Sequence, residues 1–109
     1  MGDGVFYQQS AALTRIMLEE SVEAHFVRQV KRYGGAVYKL KFESVRGAPD
    51  RLAVFPRFNF TVFVELKRPK GGQLSPHQRK AHKILRAGGN MVVILSTIEE
   101  INKFLTTIC

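Results

Sequence analysis

The sequence contains one cysteine, Cys109, which excludes an intrachain disulfide and a cysteine-built zinc site. It has no apolar run near the ~20 residues of a membrane span. Its longest such run, Met91 to Leu95, is strand-sized. The amino end, Met1-Gly2-Asp3-Gly4, lacks the basic-then-apolar order of a secretory signal, and Phe6 stands where a myristoylation signal needs Ser or Thr. No internal repeat, low-complexity tract or Pro/Ser-rich linker divides the chain. These absences lead us to expect one cytoplasmic domain without a membrane partner, with residues 1–13 as a lead-in and 14–109 as the folded unit. At 109 residues the chain is long enough to bury a core, and its hydrophobic share of 45% supplies one.

Acidic residues are scarce too, and their scarcity is regional. Between Arg28 and Arg86 there are fifteen basic residues against the three acids Glu43, Asp50 and Glu65, a net +12, while the whole chain carries +8. A basic block between acidic ends points to a polyanion partner, most simply nucleic acid. The loop Lys70-Gly71-Gly72-Gln73 does not match a phosphate-binding P-loop, so no nucleotide cofactor is expected.

The pattern of side chains predicts the elements. Val22, Phe26, Val30 and Tyr33 recur at helical spacing within a helix over Thr14–Tyr33, and Gly34-Gly35 ends it. Ala36–Phe42 alternates, with Lys39 and Lys41 on a wet face and Tyr38, Leu40 and Phe42 on the other. Asp50–Phe55 and Thr61–Lys67 form a hairpin through Pro56-Arg57-Phe58-Asn59. Ser75-Pro76-His77-Gln78 is a capping box with Pro at the first helical position, opening a helix whose apolar stripe is Ala81, Ile84 and Leu85. Met91–Leu95 reads as a strand covered on both faces. Thr97-Ile98-Glu99-Glu100 opens a last helix through Leu105. The order is helix, three strands, helix, strand, helix: an α/β fold with a mixed sheet flanked by helices.

Strand geometry then places the chemistry. On the third strand Phe63, Glu65 and Lys67 share a face, opposite Val62, Val64 and Leu66. A turn centred near Arg57 and Phe58 pairs residues whose numbers sum to about 115, which sets Asp50 opposite Glu65 on one face. Two facing carboxylates repel unless something positive lies between them. Lys67 is one candidate; a hard divalent cation, held by carboxylates, waters and phosphate oxygens, is the better one. Such a cation supports phosphoester hydrolysis, with Lys67 placed to orient water or neutralise developing charge. The competing reading is a salt-bridge ladder of Asp50, Glu65 and Lys67 on a wet sheet face. His25, His77 and His82 show no metal-ligand spacing.

Gly47-Ala48-Pro49-Asp50-Arg51, Val64-Glu65-Leu66-Lys67 and Ser75-Pro76-His77-Gln78, in that order, resemble the PD-(D/E)xK nuclease superfamily, and within it the virus-type replication-repair nuclease (VRR-NUC) family. The resemblance covers Glu20 to Leu105. It implies a restriction-endonuclease-like αβββαβα core and Mg²⁺- or Mn²⁺-dependent cleavage of DNA. By the same resemblance Asp50, Glu65 and the Leu66 carbonyl are metal ligands, Lys67 the catalytic lysine and Gln78 a supporting glutamine. The first-helix glutamate of the family matches Glu23, which shares a face with Phe26, Val27 and Val30; Glu19 and Glu20 compete for that place. Lys39, Lys41, Arg51, Arg68 and Lys70 are the candidate phosphate contacts. Stand-alone relatives of this size suggest a homodimer acting on branched DNA, in the manner of a Holliday junction resolvase, from a phage or prophage in a bacterial host. Two alternatives remain open: a non-catalytic nucleic-acid-binding module, and a nuclease acting on linear or nicked DNA or on ends.

Overall fold

Helix α1 (Val22–Arg32) sets Phe26 and Val30 on one face, and both are fully buried. Lys31 and Arg32 lie in its last turn, the arrangement the helix dipole favours. The computed structural model describes residues 22–68 and 72–109. The lead-in, the first two turns expected of this helix, Glu19, Glu20 and Lys70 lie outside the described residues. The helix stops at the glycine pair, where the Gly34 and Gly35 amides donate back to Lys31 and Val30 at 2.9 Å each.

Four strands follow in the sheet order β1-β2-β3-β4: β1 (Ala36–Lys39), β2 (Arg51–Phe55), β3 (Phe60–Leu66) and β4 (Val92–Leu95). The first two pairings are antiparallel and the last is parallel, giving a mixed sheet. The hairpin between β2 and β3 turns through a single 3₁₀ turn, Pro56–Phe58, with Asn59 in the left-handed region. Its register pairs Arg51 with Val64 and Ala53 with Val62, the sum of 115 expected from the turn position. Helix α2 (Pro76–Ala87) crosses from β3 to β4, and α3 (Ile98–Ile108) closes the chain, one turn longer than its sequence pattern suggests. Both predicted capping boxes form: Ser75 with Gln78, and Thr97 with Glu100.

Alternation along the two central strands separates the layers. Ala53, Phe55, Val62 and Val64 face Phe26 and Val30 of α1 and Ile101 and Leu105 of α3, and this side is the apolar core. Glu65 and Lys67 face the opposite way, toward Gln78 and His82 of α2. The sheet therefore carries helices on both faces. No helix among the described residues is long and apolar enough to cross a membrane.

Three expectations about coverage fail, two at the sheet edges and one on α2. β1 ends at Lys39 rather than Phe42, and Tyr38 and Phe42 are 55% and 44% exposed, because an edge strand has a neighbour on one side only. β4 is the other edge, so Val93 and Ile94 are half-buried and Met91 is exposed instead of enclosed. On α2, Ile84 points to solvent, while Ala81 and His82 are buried against the sheet. The helix turns this way because its inward side is partly polar and has polar partners to meet.

Candidate active site

Asp50 ends a loop, Gly47-Ala48-Pro49, that leads directly into β2. Pro49 is fully buried, and the Asp50 carbonyl accepts the Leu40 amide at 2.9 Å, which ties the loop to the end of β1. Gly47 has φ +82°, and a Cβ built on it would fall 2.4 Å from the backbone of His77 and 2.5 Å from that of Gln78. The Asp50 loop thus lies directly on the first turn of α2. Only a residue without a side chain fits there.

Glu65 sits in the centre of the sheet on the α2 side and is 5% exposed. Burial, and next the charge of Asp50, raise its pKa to about 7, against the partial relief from Lys67 and Arg51. The repulsion inferred from the hairpin register is therefore present in the fold. Two carboxylate oxygens here, Asp50 Oδ1 and Glu65 Oε1, are buried and make no hydrogen bond among the described residues. Buried oxygens of this kind are costly unless a positive partner completes them.

Lys67 follows β3 and is anchored by its backbone, whose amide donates to the Leu95 carbonyl at 2.9 Å. Its Nζ donates to Gln78 Oε1 at 2.8 Å, and the same oxygen accepts the Ser75 amide at 2.9 Å. Gln78 therefore caps the helix and holds the lysine with one atom. Gln78→Ala should cost about 1 kcal/mol of stability through the lost hydrogen bond from the Ser75 amide. It should also lower turnover further than Ser75→Ala, which keeps the Gln78 oxygen; steady-state cleavage rates and thermal melts of the two variants check this.

Glu23 reaches the sheet from α1, where its Oε1 lies 2.9 Å from Arg51 Nη2 and 3.3 Å from Lys39 Nζ. Partial burial acts to raise its pKa, but the bonds to Arg51 and Lys39 outweigh it and hold the carboxyl below its usual value. Arg51 in turn contacts Asp50, Nη1 lying 3.0 Å from both Oδ2 and the carbonyl oxygen. Leu66, the last residue of β3, packs its side chain on the apolar core.

The candidate phosphate contacts divide. Lys41 and Arg68 are exposed, and Lys39 is exposed although paired with Glu23. Arg51 is not a surface cation: its side chain is 10% exposed and engaged by two carboxylates. The alternation of Arg51, Ala53 and Phe55 explains this, since all three point to the core side.

Sequence reasoning passed over His82 as a site residue. It is fully buried, its Nε2 is 3.5 Å from Glu65 Oε1, and burial with the neighbouring Arg86 and Lys67 charges keeps it neutral at pH 7. That distance is beyond a good hydrogen bond. The signal was available, since His82 lies four residues after Gln78 and so on the same side of the helix.

No family model matches the sequence. A curated relative named "Putative nuclease p44", from Acyrthosiphon pisum secondary endosymbiont phage 1, is 39% identical over 83 residues, which is 76% of this chain and 87% of that protein. A solved structure described as a VRR_NUC domain superposes with a TM-score of 0.72 at 30% identity, covering 78% of this chain and 90% of the other. The chain belongs to the VRR-NUC family of nucleases. The VRR-NUC fold, a four-stranded mixed sheet with three described helices, is the one seen here.

A divalent cation fits the residues present. Asp50 Oδ1 and Glu65 Oε1 are both buried without a hydrogen-bond partner among the described residues, and burial, followed by the Asp50 charge, raises the pKa of Glu65 to about 7. Among the described residues no group of three or more His, Cys, Asp or Glu gathers as a metal cluster. A site with two carboxylates suits a hard ion that keeps water and phosphate oxygens in its shell better than it suits zinc.

Proposed function

We propose that this nuclease is a single domain, residues 14–109, that hydrolyses DNA phosphodiester bonds with Mg²⁺ or Mn²⁺. The observation that carries the reading is the pair of buried, unpartnered oxygens on Asp50 and Glu65, set beside a lysine whose ammonium is held by Gln78. Asp50, Glu65 and the Leu66 carbonyl would hold the cation. When bound, it supplies charge for the scissile phosphate and makes an adjacent water more acidic. Lys67, fixed through Gln78, presents its ammonium to the charge that builds on the phosphate oxygens during attack. Holding Nζ with a neutral amide rather than a carboxylate leaves its charge available. Glu23 supports the site from α1.

The basic side chains provide the substrate surface. Beside the Asp50 loop runs a groove of about 280 Å³, lined by Ser44, Val45, Arg46, His77, Lys80, Ala81 and Ile84. With Lys39, Lys41 and Arg68 its cations provide backbone contacts without base reading, as suits a small nuclease that recognises DNA shape. The substrate we propose is branched DNA, cut by a homodimer whose two sites meet the two strands of a junction. The phage relative fits a phage or prophage gene acting in a bacterial cytoplasm.

The test is cleavage of end-labelled four-way, flap and linear DNA with Mg²⁺, Mn²⁺ or EDTA. Wild type should cut the four-way junction symmetrically and only with metal. Lys67→Ala should lose at least about 10²-fold in rate with an unchanged circular dichroism spectrum. Preference for linear DNA or ends would overturn the branched substrate, and binding without cutting in any metal would overturn the enzyme.

A further inference from the structure

The Arg51 guanidinium is divided between two acids. Nη1 takes Asp50, at 3.0 Å from Oδ2 and from the main-chain oxygen, while Nη2 takes Glu23 at 2.9 Å. The side chain is 10% exposed, and its Nε is buried without a partner among the described residues. An arginine beside a single carboxylate closes on it with two parallel N–H···O bonds. Here one carboxylate oxygen of Asp50 is taken and the other, Oδ1, is left unbonded among the described residues. Glu23 is the group that draws the second arm of the fork away.

We infer that Glu23 serves the site through Arg51, as a counter-anion that stops the guanidinium from closing over the free oxygen of Asp50. Glu23 is on this account a positioning residue, and Arg51 the element it positions. The inference rests on the metal-binding reading above, because the oxygen kept free is one assigned there to the cation. Two features of the geometry support it. Glu23 extends from the helix on the core side of the sheet, the same side as Arg51, whereas Glu65 faces α2. Lys39 also contacts Glu23, but its side chain is 73% exposed and its pairing is solvated, so Arg51 is the partner that matters.

The test is a double-mutant cycle read by calorimetric titration of Mn²⁺ into the full chain, without DNA. Glu23→Gln should weaken Mn²⁺ binding about tenfold in the wild-type background, as loss of an outer partner does. In an Arg51→Met background the same substitution should change it less than about twofold, because no guanidinium remains to close on Asp50. Arg51→Lys takes the place of Arg51→Met if the latter does not fold, since a lysine cannot fork between two acids. Equal weakening by Glu23→Gln in both backgrounds would make Glu23 a direct ligand or a bulk charge and overturn the inference. No weakening in either background would overturn it too. Absence of Mn²⁺ binding by wild type would instead remove the metal-binding reading on which it stands. Thermal melts of each variant in EDTA separate a mere folding defect, which shifts stability without the background dependence.

Discussion

Glu65→Gln is expected to abolish cleavage, by about 10³-fold or more, and at the same time to stabilise the metal-free protein above pH 7. The amide keeps the shape of the carboxylate and removes a charge that the fold buries at a cost. That cost has a defined pH window. Glu65 has a pKa of about 7 in the folded chain, against 4.5 for an ordinary glutamate, because burial and the Asp50 charge oppose its ionisation. Between those two values the folded state holds the proton and the unfolded chain has released it, so stability falls as pH rises. Below the lower value there is no penalty, and above the upper one it is complete, at up to about 3 kcal/mol. Wild type in EDTA should therefore melt on the order of 10 °C lower at pH 8 than at pH 5 from this residue, and Glu65→Gln should lose that difference. Added Mn²⁺ should restore wild type at pH 8 and leave the variant unmoved, since only a species that binds the ion gains from it. Equal melting of the two proteins across this range would show that Glu65 carries no buried charge.

Gly47→Ala should be the most damaging single-methyl change in the loop that carries Asp50. A left-handed backbone at φ +82° costs an alanine about 1–2 kcal/mol by itself. The new methyl would also lie 2.4 Å from the His77 backbone, which cannot move away without unseating the first turn of α2. The combined loss should reach roughly 3–5 kcal/mol, enough to unfold a marginal domain. Gly89→Ala is the matched control. Its φ is +91° but nothing lies within 4 Å of the added carbon, so it should show the backbone cost alone. Urea unfolding of the two variants measures the difference. Similar midpoints would mean that the Asp50 loop is not seated on α2 as described.

Local chemistry was legible in the sequence. Ser75 and Thr97 opened helices because a hydroxyl and a glutamine or glutamate three residues later satisfy each other's backbone at short range. The hairpin register followed from its turn, and its continuation by one residue accounts for the charge of Asp50 acting on Glu65. Two residues were readable and were placed elsewhere or passed over. Arg51 alternates with Ala53 and Phe55 and so belongs to the core side, and His82 repeats Gln78 after one helical turn. Strand coverage was not readable in the same way. Met91–Leu95 is apolar throughout, yet it forms an edge, because strand order depends on which segments pair and not on the composition of either.

The sequence alone determined the element order, both capping boxes, the hairpin register and the face shared by Glu65 and Lys67, all set by period and near-neighbour bonding. Tertiary packing decided the rest of the site: Gln78 on Lys67, Glu23 and Asp50 sharing Arg51, and His82 under Glu65. These pairs join separate elements, and their distances and burial come into being only when helices close over the sheet and water leaves. The same closure makes the charge on Glu65 costly, a property of the assembled core that no tripeptide carries.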